Sequence, residues 1–118
     1  MTPLELQVRF KQYALRCMKL QEKLPKEPTA KIISDQLLRS AFSAAANYRA
    51  ACNAQSKKAF ISKLSIAFEE IDETVFWLEM IDETKLLPSQ KLGLIIEEGG
   101  ALTKILAASR ITSRKTKT

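Results

Sequence analysis

The chain repeats one device four times: apolar residues spaced by threes and fours, interrupted at short intervals by proline, serine or threonine. The first run is Leu6, Phe10, Tyr13, Ala14, Cys17, Leu20 and Leu24. Such spacing places every member on one side of an α-helix facing a core. Thr2 suits an N-cap, Pro3 a first turn and Pro25 a stop, so helix one is expected from Pro3 to Leu24. After "PKEPT", Thr29 is expected to cap helix two, which continues to about Ala54 with Ile33, Leu37, Ala41, Ala44, Tyr48 and Ala51 on one side. "NAQS" is the next break, and Ser56 suits a cap for helix three, Lys57 to about Thr84, bearing Phe60, Leu64, Ala67, Ile71, Val75 and Leu78. Beyond "TKLLPS", a fourth helix offers Leu92, Ile95, Ile96, Leu102, Ile105 and Leu106 for burial.

Short connections force neighbouring helices to run antiparallel. With no alternating β-branched run and no Asn-Gly turn, the sequence predicts an all-α, up-down antiparallel four-helix bundle. One domain over residues 1–112 is expected, followed by a basic flexible tail, 113–118. The segment "SRITSRKTKT", from Ser109, has no apolar periodicity and is expected to fray. Gly99 and Gly100 break the rules of helix four, each costing about 1 kcal/mol relative to alanine. Either the helix breaks there, or two helices cross closely enough to need the missing side chains.

Histidine is absent, which excludes a Ser-His-Asp or Cys-His apparatus and removes the commonest metal ligand. Seven acids, Glu69, Glu70, Asp72, Glu73, Glu79, Asp82 and Glu83, share helix three, so the four-helix arrangement of carboxylates and histidines that holds paired metals cannot be assembled. No catalytic residue, cofactor or metal is expected, and the reading is non-enzymatic. Cys17 and Cys52 lie on apolar faces without a C-x-x-C motif, as buried reduced thiols of a cytoplasmic protein would. Neither a signal peptide nor a membrane span is visible.

The net charge of +6 is segregated. Arg9 to Lys63 holds twelve basic and three acidic residues, Glu69 to Glu98 nine acidic and two basic, and Lys104 onward five basic. Charge sorted into poles in this way argues for partners better than the total does. Arg9, Arg16 and Lys23 are seven apart and drift only about 20° per step, so they form a ridge on helix one with Lys19 beside it. Arg49, Lys57, Lys58 and Lys63 gather at the corner between helices two and three, and Arg114, Lys115 and Lys117 form a basic arm. These cations are the candidate phosphate contacts of a nucleic-acid surface, weighed against ordinary solubilising charge. No aromatic residues interleave with them, so base stacking is not indicated.

Two further features concern assembly. Gln36, Arg39, Ser40, Ser43 and Asn47 share one side of helix two beside its alanines, either facing solvent or forming an interhelical network in which Arg39 or Asn47 meets Glu73, which falls near the core stripe and needs a partner. Phe42, Ile61, Ile66, Phe68, Phe76, Trp77 and Met80 exceed what one small core can hold. Self-association is therefore expected, with Phe42, Phe68, Phe76 and Trp77 as interface residues.

The block from Gln36 to Ile81, "QLLRSAFSAAANYRAACNAQSKKAFISKLSIAFEEIDETVFWLEMI", resembles the bacterial four-helix-bundle proteins often encoded in intervening sequences of 23S ribosomal RNA genes. The likeness is carried by Gln36, Arg39, Ser43 and Asn47, then "SKKAFI", "LSIA", Glu73 and "FWLEMI", and by the flanking "LPKEP" and "LTKILAAS". It implies a bundle assembling into a homopentameric ring, and kinship with the accessory proteins of diversity-generating retroelements, basic rings that bind nucleic acid and a reverse transcriptase. Ala50, where many relatives carry an acid, and the Gly99–Gly100 pair depart from the pattern. Two functions are in view: a ring binding structured RNA or DNA through phosphate contacts, or an adaptor ring docking a protein partner such as a reverse transcriptase.

Overall fold

The computed structural model describes residues 1–115. Its helices are α1 (Pro3–Gln21), α2 (Pro28–Cys52), α3 (Lys57–Glu83) and α4 (Gly93–Lys115), with a 3-10 turn at Ser89–Lys91. Contacts run around the ring α1–α2–α3–α4–α1, most extensive between α2 and α3 and thinnest between α1 and α4. The product is a four-helix bundle measuring 50 × 21 × 20 Å, with no strand among the described residues.

Local chemistry sets the helix limits. The Thr2 hydroxyl accepts from Glu5 N–H, and the Ser56 hydroxyl from Ala59 N–H, each satisfying an otherwise orphaned donor. α1 ends at Gln21, three residues before the expected stop at Leu24. Proline 25 disfavours helical geometry at the preceding residue, and the chain turns through short bonds from Lys23 N–H to Leu20 O and Leu24 N–H to Gln21 O. α2 begins at Pro28 and not after a Thr29 cap: Glu27 occupies the cap position without a side-chain bond, and proline is already set for a first turn. Its end is Cys52, two residues short of Ala54. α3 closes with Lys85 at φ 57°, where Lys85 N–H reaches Asp82 O and Leu86 N–H reaches Ile81 O. This paired closure normally recruits glycine for its left-handed residue.

The core comprises the expected stripes, with Phe10, Tyr13, Cys17, Leu37, Leu64, Ile71, Leu78, Leu102 and Leu106 almost wholly buried. Leu20, Phe60, Val75, Ile96 and Ile105, also expected inside, are only partly so. On α2 the buried positions Ala41, Ala44 and Ala51 are small, and the helix comes close to α3. Two hydroxyls meet in that gap: Thr74 Oγ1 lies 2.9 Å from Ser40 Oγ and 2.8 Å from Glu70 O, while Ser40 donates to Leu37 O. Both side chains are buried and each is satisfied.

α4 is continuous through both glycines, and neither has positive φ. The close crossing expected there belongs to Gly99 alone. A Cβ at Gly99 would collide with the Tyr13 hydroxyl and stand 2.7 Å from Val75 Cγ2, whereas a Cβ at Gly100 would meet nothing within 4 Å. The segment from Ser109, expected to fray, is helical as far as Lys115. Ser109 and Ser113 donate to the carbonyls of Ile105 and Ser109, and Arg110 lies over the Phe68 ring at 4.6 Å. That anchor is a contact between helices, which apolar spacing along one segment cannot reveal.

Candidate nucleic-acid interface

Up-down topology sorts the candidate cations by end of the bundle. Arg49 on the last turn of α2, Lys57, Lys58 and Lys63 on the first turns of α3, and Arg114 and Lys115 on the last turn of α4 all belong to one end. Arg49, Lys58, Lys63, Arg114 and Lys115 are exposed, and Lys57 is half-buried. Lys117 lies outside the described residues.

The α1 ridge is altered by the structure. Arg9 does not face solvent as a free cation: its Nε and Nη2 donate to the two carboxylate oxygens of Glu98 at 2.6 and 2.7 Å, bridging the thin α1–α4 seam. Hydrogen bonding from Arg9 holds the Glu98 carboxyl below its usual range, and Glu98 raises the guanidinium in turn. A paired arginine has little left for phosphate, so Arg9 leaves the candidate set. Lys23 sits past the end of α1, off the helical ridge. Arg16, Lys19 and Lys23 remain exposed.

The polar stripe of α2 divides. Arg39 Nε donates to Gln36 at 3.1 Å, Nη1 to Glu70 at 2.9 Å and Nη2 to Glu73, whose carboxylate also accepts from the Trp77 indole N–H at 3.0 Å. Glu73 is held below the normal carboxylate range by Trp77 first and by Arg39 second. Gln36, Arg39 and Glu73 therefore form the expected interhelical network. Ser43 and Asn47 do not join it: Asn47 Nδ2 donates to Ser43 O at 2.9 Å and lies 3.1 Å from Ser43 Oγ, within α2. Sequence reasoning missed Glu70 as a member; it placed Ser40 on the polar side of α2 but missed Thr74 as its partner on α3. Thr74 was legible, being a polar residue on the α3 stripe between Ile71 and Leu78.

Of the proposed assembly residues, Phe42 and Phe76 are 42% and 47% exposed. Trp77 is half-buried, edge-on to Phe76 at 4.9 Å. Phe68 is half-buried beneath the Arg110 guanidinium, so part of the surface assigned to association is already covered within the chain. α1 presents a further outward stripe, Leu4, Val8 and Leu15. Among the described residues no group of acids and cysteines is placed to hold a metal ion, and no helix is long and apolar enough to cross a membrane.

The sequence model of the 23S rRNA-intervening sequence proteins matches residues 4–108. The chain belongs to this family. A similar solved structure is a protein with unknown function from the S23 ribosomal protein family of Bacteroides thetaiotaomicron, 32% identical over 93% of this chain and 98% of that one, with a TM-score of 0.84. No curated protein matches the chain.

Proposed function

We propose that this family member is a non-enzymatic, self-associating bundle that binds structured RNA or DNA through phosphate contacts. The observation that carries it is charge placement: Arg16, Lys19, Lys23, Arg49, Lys58, Lys63, Arg114 and Lys115 are all exposed, while most acids lie on α3 and the first turns of α4. Self-association supplies the second half. Phe42, Phe76 and the outward stripe of α1 are apolar surface that a second copy would bury, and a ring such as a homopentamer would multiply the basic surface. Binding measured against salt tests the proposal. Neutralising Z phosphates gives a log–log slope of about −0.9Z on duplex DNA. Absence of binding at low salt, or indifference to salt, refutes it. The exposed stripe of α1 also favours a second reading, an adaptor for a protein partner. Charge reversal at Arg16, Lys19 and Lys23 would leave capture of that partner intact.

A further inference from the structure

Two stretches of the sequence contain no acid at all: residues 36–68 and residues 99–118. The topology brings the α2–α3 corner from the first and the end of α4 from the second to one pole of the bundle, where Glu5 of α1 is the acid nearby in the chain. The four helix ends there do not close on each other. They surround an open crevice of about 890 Å³ whose wall includes Leu6, Tyr48, Cys52, Phe60, Ile105 and Ser109, with no charged side chain in its lining and the Met1 N-terminus at its edge. Tyr48 is a fixed part of the wall, stacked on Phe10 at 5.3 Å, and Phe60 is partly exposed.

From this we infer that the pole receives an unpaired stretch of nucleic acid end-on, its phosphates on Arg49, Lys58, Lys63, Arg114 and Lys115 and an unstacked base in the crevice. The inference rests on the proposed nucleic-acid function and names the form of ligand. Charge complementarity selects a polyanion, since five exposed cations from three helices belong to the same pole as a hollow lined by no acid. The lining has both a face and acceptors for a base. Phe60 offers a ring, while Ser109 and Ser113 commit their protons to helix carbonyls and keep oxygen lone pairs for the amino groups of a base. Local sequence could not show this, because aromatic and cationic residues meet only when the helix ends converge.

Fluorescence anisotropy at about 50 mM salt decides it, using one labelled single-stranded oligonucleotide, the same strand with abasic positions, and a blunt duplex. We expect Lys58→Glu with Arg114→Glu to weaken single-strand binding at least about tenfold, and the milder pair Lys58→Gln with Arg114→Gln to weaken it less. The equal charge change Lys26→Glu with Lys91→Glu, at the opposite end, should move it by less than about twofold. The abasic strand should bind about tenfold more weakly to the unmodified protein, and Cys52→Phe, which fills the crevice, should abolish that difference without affecting the duplex. Helicity by circular dichroism confirms that each variant folds. Loss that follows Arg16→Glu with Lys19→Glu and spares the pole pair overturns the inference and leaves nucleic-acid binding standing. Equal affinity for native and abasic strands overturns the base site, as does selective binding of anionic lipid vesicles or an acidic peptide at the pole. Failure to bind any nucleic acid overturns both this inference and the function beneath it.

Discussion

Adjacent glycines in one helix should respond to the same substitution with opposite signs. At Gly100 an alanine Cβ would meet nothing within 4 Å, so Gly100→Ala should gain only the intrinsic helix preference, about 0.5–1 kcal/mol. At Gly99 the same methyl group arrives where α4 crosses α1 and α3. It would overlap the Tyr13 hydroxyl, stand 3.1 Å from Tyr13 Cζ and 2.7 Å from Val75 Cγ2. Overpacking of this kind costs about 1–3 kcal/mol. Moving Tyr13 adds the loss of its bond to Ile95 O, 3.0 Å long and buried, at about 1–3 kcal/mol if the hydroxyl is left unpaired. Subtracting the helix gain leaves Gly99→Ala destabilised by about 1–5 kcal/mol, and a melting temperature lower by roughly 5 °C or more.

Thermal and urea unfolding followed by circular dichroism measures both variants, with protein concentration held constant because association would shift the midpoint. A double-mutant cycle isolates the cause. Tyr13→Phe removes the oxygen with which the new methyl group collides, so Gly99→Ala should cost at least about 1 kcal/mol less in that background. A Gly99→Ala variant as stable as Gly100→Ala would show that the helices do not cross as closely as described.

Four further outcomes are expected. Leu64→Ala, at a fully buried position of α3, should cost about 2–5 kcal/mol in urea unfolding, and a cost below about 1 kcal/mol would place the α3 register in error. Lys85→Gly should stabilise by about 0.5–1 kcal/mol, because glycine takes the left-handed closure of α3 without the strain that lysine bears. Glu98 and Glu73 have folded pKa values below their unfolded ones, so their stabilisation is present above the ordinary carboxylate range and is lost as pH falls through it. The urea midpoint should therefore decline on acidification below about pH 4.3, and less steeply in Glu98→Gln, with a modest difference because the Arg9–Glu98 pair is partly solvated. Cys17 is buried and its thiol is pushed up to about 12 by desolvation, so a thiol reagent at mild alkaline pH should label Cys52 in the native protein and Cys17 only after unfolding.

What the sequence discloses here follows from the range of the interactions involved. Helix positions and buried stripes are properties of single segments, and Leu6 to Cys17 or Leu64 to Leu78 can be read from spacing alone. Cap positions are nearly as local, yet Thr29 yields to Pro28 because the proline ring is preorganised for the first turn. Pair contacts across the bundle are a different matter. Arg9 and Glu98 are 89 positions apart, and nothing in either segment announces that the ridge of α1 surrenders its first cation to α4. Arg110 over Phe68 stabilises a helical stretch that periodicity leaves blank. The candidate cations were legible as residues, whereas the grouping of Arg49, Lys58 and Lys63 with Arg114 and Lys115 at one end required the topology.

The alanine-rich face of α2 ties these levels together. Because Ala41, Ala44 and Ala51 take up little space, α2 and α3 approach until Ser40 and Thr74 touch and Arg39 can reach both Glu70 and Glu73. One cation therefore serves two acids at mid-bundle, while Glu69, Asp72 and Glu79 stay exposed on the same helix. A nucleic-acid strand approaching that flank meets uncompensated negative charge and is repelled, whereas at the α2–α3 corner and the end of α4 it meets cations without acids. Close packing thus does more than stabilise the fold: by fixing α2 against α3, it keeps these acids on one flank, and under the proposed function an end-on approach is the one expected to be attractive.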